Sequence, residues 1–574
     1  MNPSFSELKK NLKKDFSRMK EIKIAILADS ASQLFVQALK GHGYLVGIEF
    51  NILEAEYDQI FQEVANETSA LYAFEPKFVL VFQSSRKLQE KFYKLSPAGK
   101  ISFANEHSSF VQEITEKITR RLNCNIIYLN FNEINDSVFG NFANKSPFSF
   151  LCQLRKVNKM LMDLSQRHIS LSICDVSALQ NQFGREFMTS DRLYVNTDNV
   201  FSLDALPVIV SNITDIILAF TGTFKKCIIL DLDNTIWGGI IGDDGMENIE
   251  IGNLGIGKAF SLFQKWIKQL KERGIILAVC SKNSTHIAKE PFEKHPDMEL
   301  RLDDIAVFVA NWENKVSNIH YIRSVLNISF DSMLFLDDNP AEREMVRTNI
   351  PGLMVPELPE DPAEFVSFLA TFNLFETMSI TEEDSKRTRL YQEEAGRSSL
   401  MHSMVDEVVF LQNLEMKAEV KLMNTYTLPR VAQLIQRSNQ FNLRTVRYTE
   451  EELKETATNK NKLVLTVKLA DKFGDYGLIS VLILEIQNEG ELFIDTWIMS
   501  CRVLKRDVEF LALNEMAALA IKHNCHTIIG EYLPTIKNEL VKDHFRKLGF
   551  TFKDGYWYLH LKEYLPKKIC ISKL

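Results

Sequence analysis

The sequence predicts an α/β chain in which two doubly wound, parallel-sheet domains precede a smaller α+β domain. Three observations lead there. Short apolar runs alternate with amphipathic stretches over residues 22–375, the pattern of right-handed βαβ units. Several runs in the middle of the chain are apolar throughout and end in polar clusters, as parallel strands buried on both faces do. Beyond residue 416 the apolar runs follow one another across short turns, so the strands there pair antiparallel.

Composition sets the outer limits. A chain of 574 residues has room for several domains, each burying its own core. With 45% hydrophobic and 25% charged residues it is ordinary for a soluble globular protein. A net charge of −8 argues against nucleic acid or an anionic membrane as the main partner. No apolar stretch approaches the roughly 20 residues of a membrane span. Residues 1–23 are polar and lysine-rich, without the apolar core of a secretory signal. The eight cysteines are scattered, with no Cys-x-x-Cys pair, a usage that fits a reducing cytoplasm.

In the first segment, residues 1–221, strands are expected at 23–28, 44–50, 78–82, 125–131 and 169–176, with helices at 110–122 and 148–164. Asp29-Ser30 closes the first strand. That position resembles the serine of SGNH (GDSL-type) hydrolases, although Ala28 stands where that family has glycine and no Asp-x-x-His pair lies near residue 200. Only His107 is placed to reach Ser30, because His42 and His168 precede strands at the other edge of the sheet. The plainer reading makes Ser30 a helix cap.

The second segment, residues 222–376, carries the chemistry. The strand Cys227-Ile228-Ile229-Leu230 runs into Asp231-Leu232-Asp233-Asn234-Thr235, and the Gly238-Gly239 pair then breaks the strand pattern. Open α/β sheets bind their ligands at such carboxyl ends. Two carboxylates one residue apart suit phosphoryl chemistry, one as nucleophile and metal ligand, the other moving a proton. Two more strands end alike, 274–280 in Ser281-Lys282-Asn283 and 333–336 in Asp337-Asp338-Asn339-Pro340. Asn311-Trp312-Glu313-Asn314-Lys315 sets a lysine at a helix start. Carboxylates gathered on one rim repel unless a divalent cation sits among them, and hard oxygen ligands with a phosphate substrate point to Mg²⁺. A helix at 258–273 shows Phe260, Phe263, Ile267 and Leu270 on one face and stops at Gly274. The short path from Asp233 to that helix leaves little room for a cap domain. The charged stretch at 377–415 reads as a helical connector.

Asp-x-Asp-x-Thr, a strand-end serine, a lysine and Asp-Asp, in that order, resemble the haloacid dehalogenase (HAD) phosphotransferase superfamily. Residues 231–245, 279–283, 311–315 and 335–340 further resemble its FkbH-like family. Long members of that family combine an SGNH/flavodoxin-like doubly wound domain, a capless HAD Rossmann-like domain and an α+β GNAT-like acyltransferase domain. The resemblance implies that Asp231 attacks phosphorus and that Asp233 protonates the leaving oxygen and then activates water. It implies Ser281 and Lys315 as phosphoryl-binding groups, and Asp231, the Asp233 carbonyl and Asp338, with Asp337 beside them, as Mg²⁺ ligands. Thr235, Gly238, Gly239 and Asn283 are expected to touch substrate.

In the third segment, residues 416–574, strands are expected at 462–469, 478–485, 492–499, 526–532 and 551–561, with helices at 506–522 and 536–548. Its back half resembles GNAT-type acyltransferases through Thr535-Ile536-Lys537-Asn538 and Lys547-Leu548-Gly549-Phe550. Lys505 and Asp507 replace glycines of the relatives, and Phe545 stands where many GNAT enzymes have tyrosine, which speaks against ordinary acetyl-CoA transfer. Cys501, beside Arg502 and near a helix start, is expected to carry an acyl group on its way to an acyl carrier protein. The other reading is a buried structural thiol. The turn at 472–477 either lines an acyl site or simply joins two strands. The function expected is an Mg²⁺-dependent phosphatase coupled to glyceryl-like acyl transfer, from a phosphorylated small molecule to a carrier protein or glycan precursor. The alternative is a stand-alone sugar-phosphate phosphatase of polysaccharide biosynthesis.

Overall fold

Five runs near the front of the chain pair side by side. They are β1 (Lys20–Ala28), β2 (Ile48–Glu54), β3 (Phe78–Phe82), β4 (Asn125–Leu129) and β5 (Leu171–Cys174). All pairs are parallel and the order is β2-β1-β3-β4-β5. β3 and β4 are buried along their whole length, whereas edge strand β2 leaves residues in water. The computed structural model describes residues 3–222, 224–378, 380, 388–393, 407–438, 440–487, 490–535 and 537–574, apart from the side chains of Glu407, Cys501 and Glu563. The chain divides into two units, residues 1–217 and 218–574. None of the described helices is long and apolar enough to cross a membrane.

In the first unit, helices between the strands begin at serine caps. Ser84, Ser96 and Ser149 each accept a backbone N–H of the first turn, and Pro97 opens the longest helix, Pro97–Arg121. The helix expected at 110–122 is only its second half. Tyr44 and Leu45, expected in a strand, instead close the helix Gln33–Leu45. Gly47, at φ +71°, ends that helix and lets β2 start at Ile48. This strand order reverses between β1 and β3, the switch point where ligands bind in such sheets. There Asp29 Oδ1 accepts the Ser84 N–H at 2.8 Å, and burial pushes the Asp29 carboxyl up to about 6.

Ser30 is not the helix cap expected of it. The next helix is capped at Ser32, without a side-chain bond. Ser30 Oγ is buried and has no hydrogen-bond partner among the described residues. His107 Nε2 lies 3.3 Å from the Tyr128 hydroxyl, and His42 Nδ1 lies 3.1 Å from Thr214 Oγ1.

Both imidazoles are buried, which pulls each down to about 4. The unfolded chain therefore takes up their protons first, so the stability they contribute is full above pH 6.5 and is lost as pH falls toward 4. Each should give a slope of up to about 1.4 kcal/mol per pH unit in that window. Urea unfolding of wild type and His42→Gln between pH 7.5 and 5 checks this. Identical slopes for the two proteins would refute it.

The second unit opens with a four-stranded parallel sheet, β6 (Cys227–Leu230), β7 (Ile276–Ser281), β8 (Val307–Ala310) and β9 (Met333–Leu336), in the order β8-β7-β6-β9. Along β6, Ile228 and Leu230 join one apolar cluster while Cys227 and Ile229 join another. Helices therefore cover both faces, which is why the strand reads as unbroken apolar sequence. The helix Gly257–Glu272 packs Phe260, Phe263 and Ile267 inward, and Gly274 comes just after it at φ +99°. The segment 231–256 holds one helical turn, Ile241–Asp244, and a backbone bridge between Gly238 and Glu250.

Of the charged connector, 388–393 and Glu407–Asn413 are helical, and 381–387 and 394–406 lie outside the described residues. The remaining strands are β10 (Met416–Leu422), β11 (Lys462–Asp471), β12 (Gly474–Gln487), β13 (Glu491–Met499), β14 (Thr527–Gly530), β15 (Thr551–Lys553), β16 (Tyr556–His560) and β17 (Ile571–Lys573). They form one mixed sheet in the order β15-β16-β14-β13-β12-β11-β10-β17. β11 to β13 pair antiparallel as expected, and β10, which is not among the expected strands, adds antiparallel to β11.

Two expectations change in this region. The strand expected at 551–561 is a hairpin, turned at Asp554 and Gly555 in left-handed backbone. The helix expected at 536–548 shrinks to a 3₁₀ turn, Glu539–Val541, and one short helix, His544–Leu548. Of the 472–477 segment, Lys472 and Phe473 make the hairpin turn between β11 and β12 while 474–477 already belong to β12, and Asp471 Oδ1 accepts the N–H groups of Phe473 and Gly474. Parallel β13 and β14 pair over three residues only. Beyond that, Asn442 bridges to Ile498, and the Leu443 carbonyl accepts from Leu533 N at 2.9 Å. The central sheet and the C-terminal sheet are tied by an ion pair between Asp331 and Lys537 at 2.7 Å.

Candidate active site

Register decides which side chains meet. Leu230 pairs with Leu336 on one side and Val279 on the other. The residues just past those strand ends, Asp231, Ser281 and Asp337-Asp338, consequently share one rim. Asn234 turns the chain back with φ +52°, and its Oδ1 accepts the Gly239 N–H at 2.9 Å. Asn tolerates that left-handed conformation better than most residues. Gly239 itself sits at φ +90°. A Cβ on Gly238 would lie 2.7 Å from the Glu250 carboxylate.

Both glycines thus shape the loop, and neither lines the cleft. Thr235, also expected to touch substrate, is fully buried. Its Oγ1 accepts the Asp338 N–H at 3.1 Å, fastening the first motif to the last.

Three donors fix the Asp233 carboxylate. The Trp237 indole donates to Oδ1 at 2.9 Å, Ile241 N to Oδ1 at 3.1 Å, and Asn283 Nδ2 to Oδ2 at 2.9 Å. The same Asn283 amide lies 3.2 Å from Ser281 Oγ. Lys315 starts the helix Lys315–Leu326, which is capped by Asn314. Lys315 is 3% exposed, and its ammonium lies 3.0 Å from Asp231 Oδ1 and 2.5 Å from Asp337 Oδ2. Burial works against that charge, but the two carboxylates outweigh it and hold the lysine above its usual range. Burial raises Asp231, opposed by Lys315 and reinforced by Asp337. Burial, then Asp337, likewise raises Asp338.

Asp231, Asp337 and Asp338 can bring oxygens within 4.8 Å of one another. Asp231 and Asp338 face the cleft, whereas Asp337 lies fully buried behind them. Asp337 Oδ1 accepts Asn339 N, and Arg343 Nη1 donates to the carbonyls of Asp337 and Asp338 at 2.8 and 2.6 Å.

The open cleft, of about 490 Å³, is lined by Asp231, Asp233, Ser281, Asn283, Lys315 and Asp338 among others. Trp312, 75% exposed, stands on the same lining. Sequence reasoning missed Trp237 and Arg343. Trp237 comes one helical turn of spacing after Asp233, a signal that was present in the motif. Arg343 offered none.

The family described as "FkbH, N-terminal domain" matches residues 23–218. The N-terminal part of the protein BF1531 from Bacteroides fragilis, containing a phosphatase domain complexed with Mg, has a solved structure with 50% identity and a TM-score of 0.64. The match covers 66% of this chain and 100% of that one. The chain belongs to the FkbH-like family. The match of this FkbH-like chain at 50% identity spans that solved relative's full length.

Weaker likenesses join it to acetyltransferases. Spermidine N-acetyltransferase from Vibrio cholerae, in complex with CoA and spermine, shows 13% identity over 26% of this chain and 97% of that one, with a TM-score of 0.20. A GNAT-family acetyltransferase from Staphylococcus aureus shows 9% identity over 25% and 99%, with a TM-score of 0.21. Likeness at these scores carries no weight for chemistry. No curated protein sequence matches the FkbH-like chain.

The expected acyl site differs in detail. The Cys501 side chain lies outside the described residues. A 3₁₀ turn, Cys501–Val503, occupies the strand end, and the helix starts only at Val508. Cys501 is therefore not at that helix's N-terminus. Lys505 and Asp507 take up left-handed backbone at φ +61° and +60°, a conformation that suits the glycines they replace. Asp507 Oδ2 accepts the Cys570 N–H at 3.1 Å. Phe545 is buried against Gly530, where a Cβ would meet its ring at 2.3 Å.

Proposed function

We propose that this chain is an HAD-type phosphatase acting on a phosphorylated small molecule, with Asp231 as nucleophile. The observation that carries the reading is the buried Lys315 ammonium held between Asp231 and Asp337, with Asp338 beside them at an open cleft. Lys315 opposes the protonation of the nucleophile that burial favours. Asp231 attacks phosphorus and forms an aspartyl-phosphate. Asp233, oriented by Trp237, Ile241 N and Asn283, protonates the leaving oxygen and then takes a proton from the attacking water. Ser281 and Lys315 bind the phosphoryl oxygens.

Three crowded carboxylates around one rim fit a hard divalent cation. Asp231, Asp338 and the Asp233 carbonyl would hold Mg²⁺, since the Asp233 carboxylate is already committed to its three donors. Bound Mg²⁺ neutralises charge on the carboxylates and the phosphoryl group.

The finer part of the proposal couples dephosphorylation to acyl transfer through Cys501, toward an acyl carrier protein or glycan precursor. Incubation with 1,3-bisphosphoglycerate and Mg²⁺, read by intact-mass spectrometry with and without a carrier protein, separates the two parts. A glyceryl adduct absent from Cys501→Ala supports transfer. Phosphate release with neither adduct nor carrier loading leaves the phosphatase alone. No phosphate release from any phosphate ester sinks both.

Asn283→Ala frees one oxygen of Asp233 and should lower kcat about tenfold to a hundredfold on alkyl phosphates. p-Nitrophenyl phosphate, whose leaving group needs no proton, should be affected less. Equal losses on both substrates would exclude an orienting role toward Asp233.

A further inference from the structure

Arg502 is 8% exposed, yet no carboxylate pairs with it among the described residues. Its Nε donates to Ser500 Oγ at 3.3 Å and its Nη2 to the Tyr476 carbonyl at 3.4 Å, both long bonds. Nη1 has no hydrogen-bond partner among the described residues. A buried guanidinium without an anion is costly, and proteins retain such groups where something other than stability is served.

Arg502 borders a cavity of about 120 Å³ between the central sheet and the C-terminal domain. Lys226, just before β6, and Ser329 form one wall. Arg437, Ser438 and Ser500 stand on the other. Four of the lining residues, Lys226, Arg430, Arg437 and Arg502, are basic, and none of the described lining residues is acidic. Lys226 and Arg437 have contacts of their own, the lysine donating to the Arg437 carbonyl at 3.2 Å. They nevertheless add positive potential to a partly open cavity, where it acts more strongly than in bulk water.

Lys226 and Asp231 flank opposite ends of β6. At about 3.3 Å per residue they lie roughly 17 Å apart, so the cavity is separate from the phosphoryl cleft.

We propose that this cavity binds a small oxyanion, the phosphate or carboxylate of an organic molecule, with Arg502 as its charged base. The site stands apart from the phosphatase reading. Hydroxyls of Ser438 and Ser500 supply neutral donors, and Phe441 and Met499 supply apolar surface for the remainder of the ligand.

Inorganic phosphate and malonate serve as probes for the full-length chain in equilibrium dialysis. With Mg²⁺, wild type is expected to bind two phosphates. One should survive EDTA, persist in Asp231→Asn and vanish in Arg502→Met. Malonate competition at the surviving site identifies a carboxylate ligand, and its absence identifies phosphate. Without phosphate, Arg502→Met should unfold no earlier than wild type, and added phosphate should raise the midpoint of wild type only. Should that variant fail to fold, Ser438→Phe, which fills the cavity and keeps Arg502, should lose the EDTA-resistant phosphate instead. A wild-type chain without an EDTA-resistant phosphate overturns the proposal, as does retention of that phosphate in a folded Arg502→Met or Ser438→Phe.

Discussion

Asp231→Asn is expected to abolish phosphate release, with turnover lowered by about 10⁴-fold or more, because an amide cannot attack phosphorus. Its fold should survive. Lys315 still meets Asp337 at 2.5 Å, so the buried ammonium keeps one anion after the other is gone. The substitution also relieves the repulsion that Asp337 imposes on Asp231. The measurement is single-turnover release from a ³²P-labelled ester, with urea unfolding alongside. Turnover above about one hundredth of wild type in a folded variant would move the nucleophile elsewhere.

Lys315→Met should do more damage. It leaves two buried carboxylates facing each other without a cation, and removal of one member of such a buried set costs about 3–5 kcal/mol. Unfolding in urea should shift accordingly. Added Mg²⁺ should return part of the loss, since a divalent ion at Asp231 and Asp338 screens the same charges. Activity should not return, because Lys315 is also the proposed ligand of the phosphoryl oxygens. Unfolding that matches wild type without metal would show that the ion pairs contribute little.

The site was legible because the end of a buried strand fixes where the next residues lie. Four motifs at the ends of buried strands or at a helix start left little freedom in the positions of Asp231, Ser281, Lys315 and Asp338. The loop between Asp231 and Gly257 was harder to read. Trp237 and Gly239 donate back onto Asp233 and Asn234 of the same loop, while Thr235 accepts from Asp338 N, and no periodicity encodes such returns. Thr235 and the two glycines therefore look like substrate contacts in the sequence, although they hold the loop.

In the first unit, apolar runs locate β3 to within a residue, yet only the second half of the helix Pro97–Arg121 is legible. Its first turns are polar and carry Gly99. The C-terminal hairpin β15–β16 reads as one strand because its turn, at Asp554-Gly555, is only two residues long. β10 and the helices Leu428–Arg437 and Glu450–Thr458 go unread, although Pro429 opens the first helix and a Thr449–Glu452 capping box opens the second.

Strand β17 has a consequence for handling the protein. It pairs with β10 through Ile571, Ser572 and Lys573, and Leu574 N donates to the Ala418 carbonyl. Those last residues shield an edge whose backbone groups would otherwise be free to recruit a strand from another molecule. Removing residues 571–573 would thus bare that stretch of β10 and be felt as self-association.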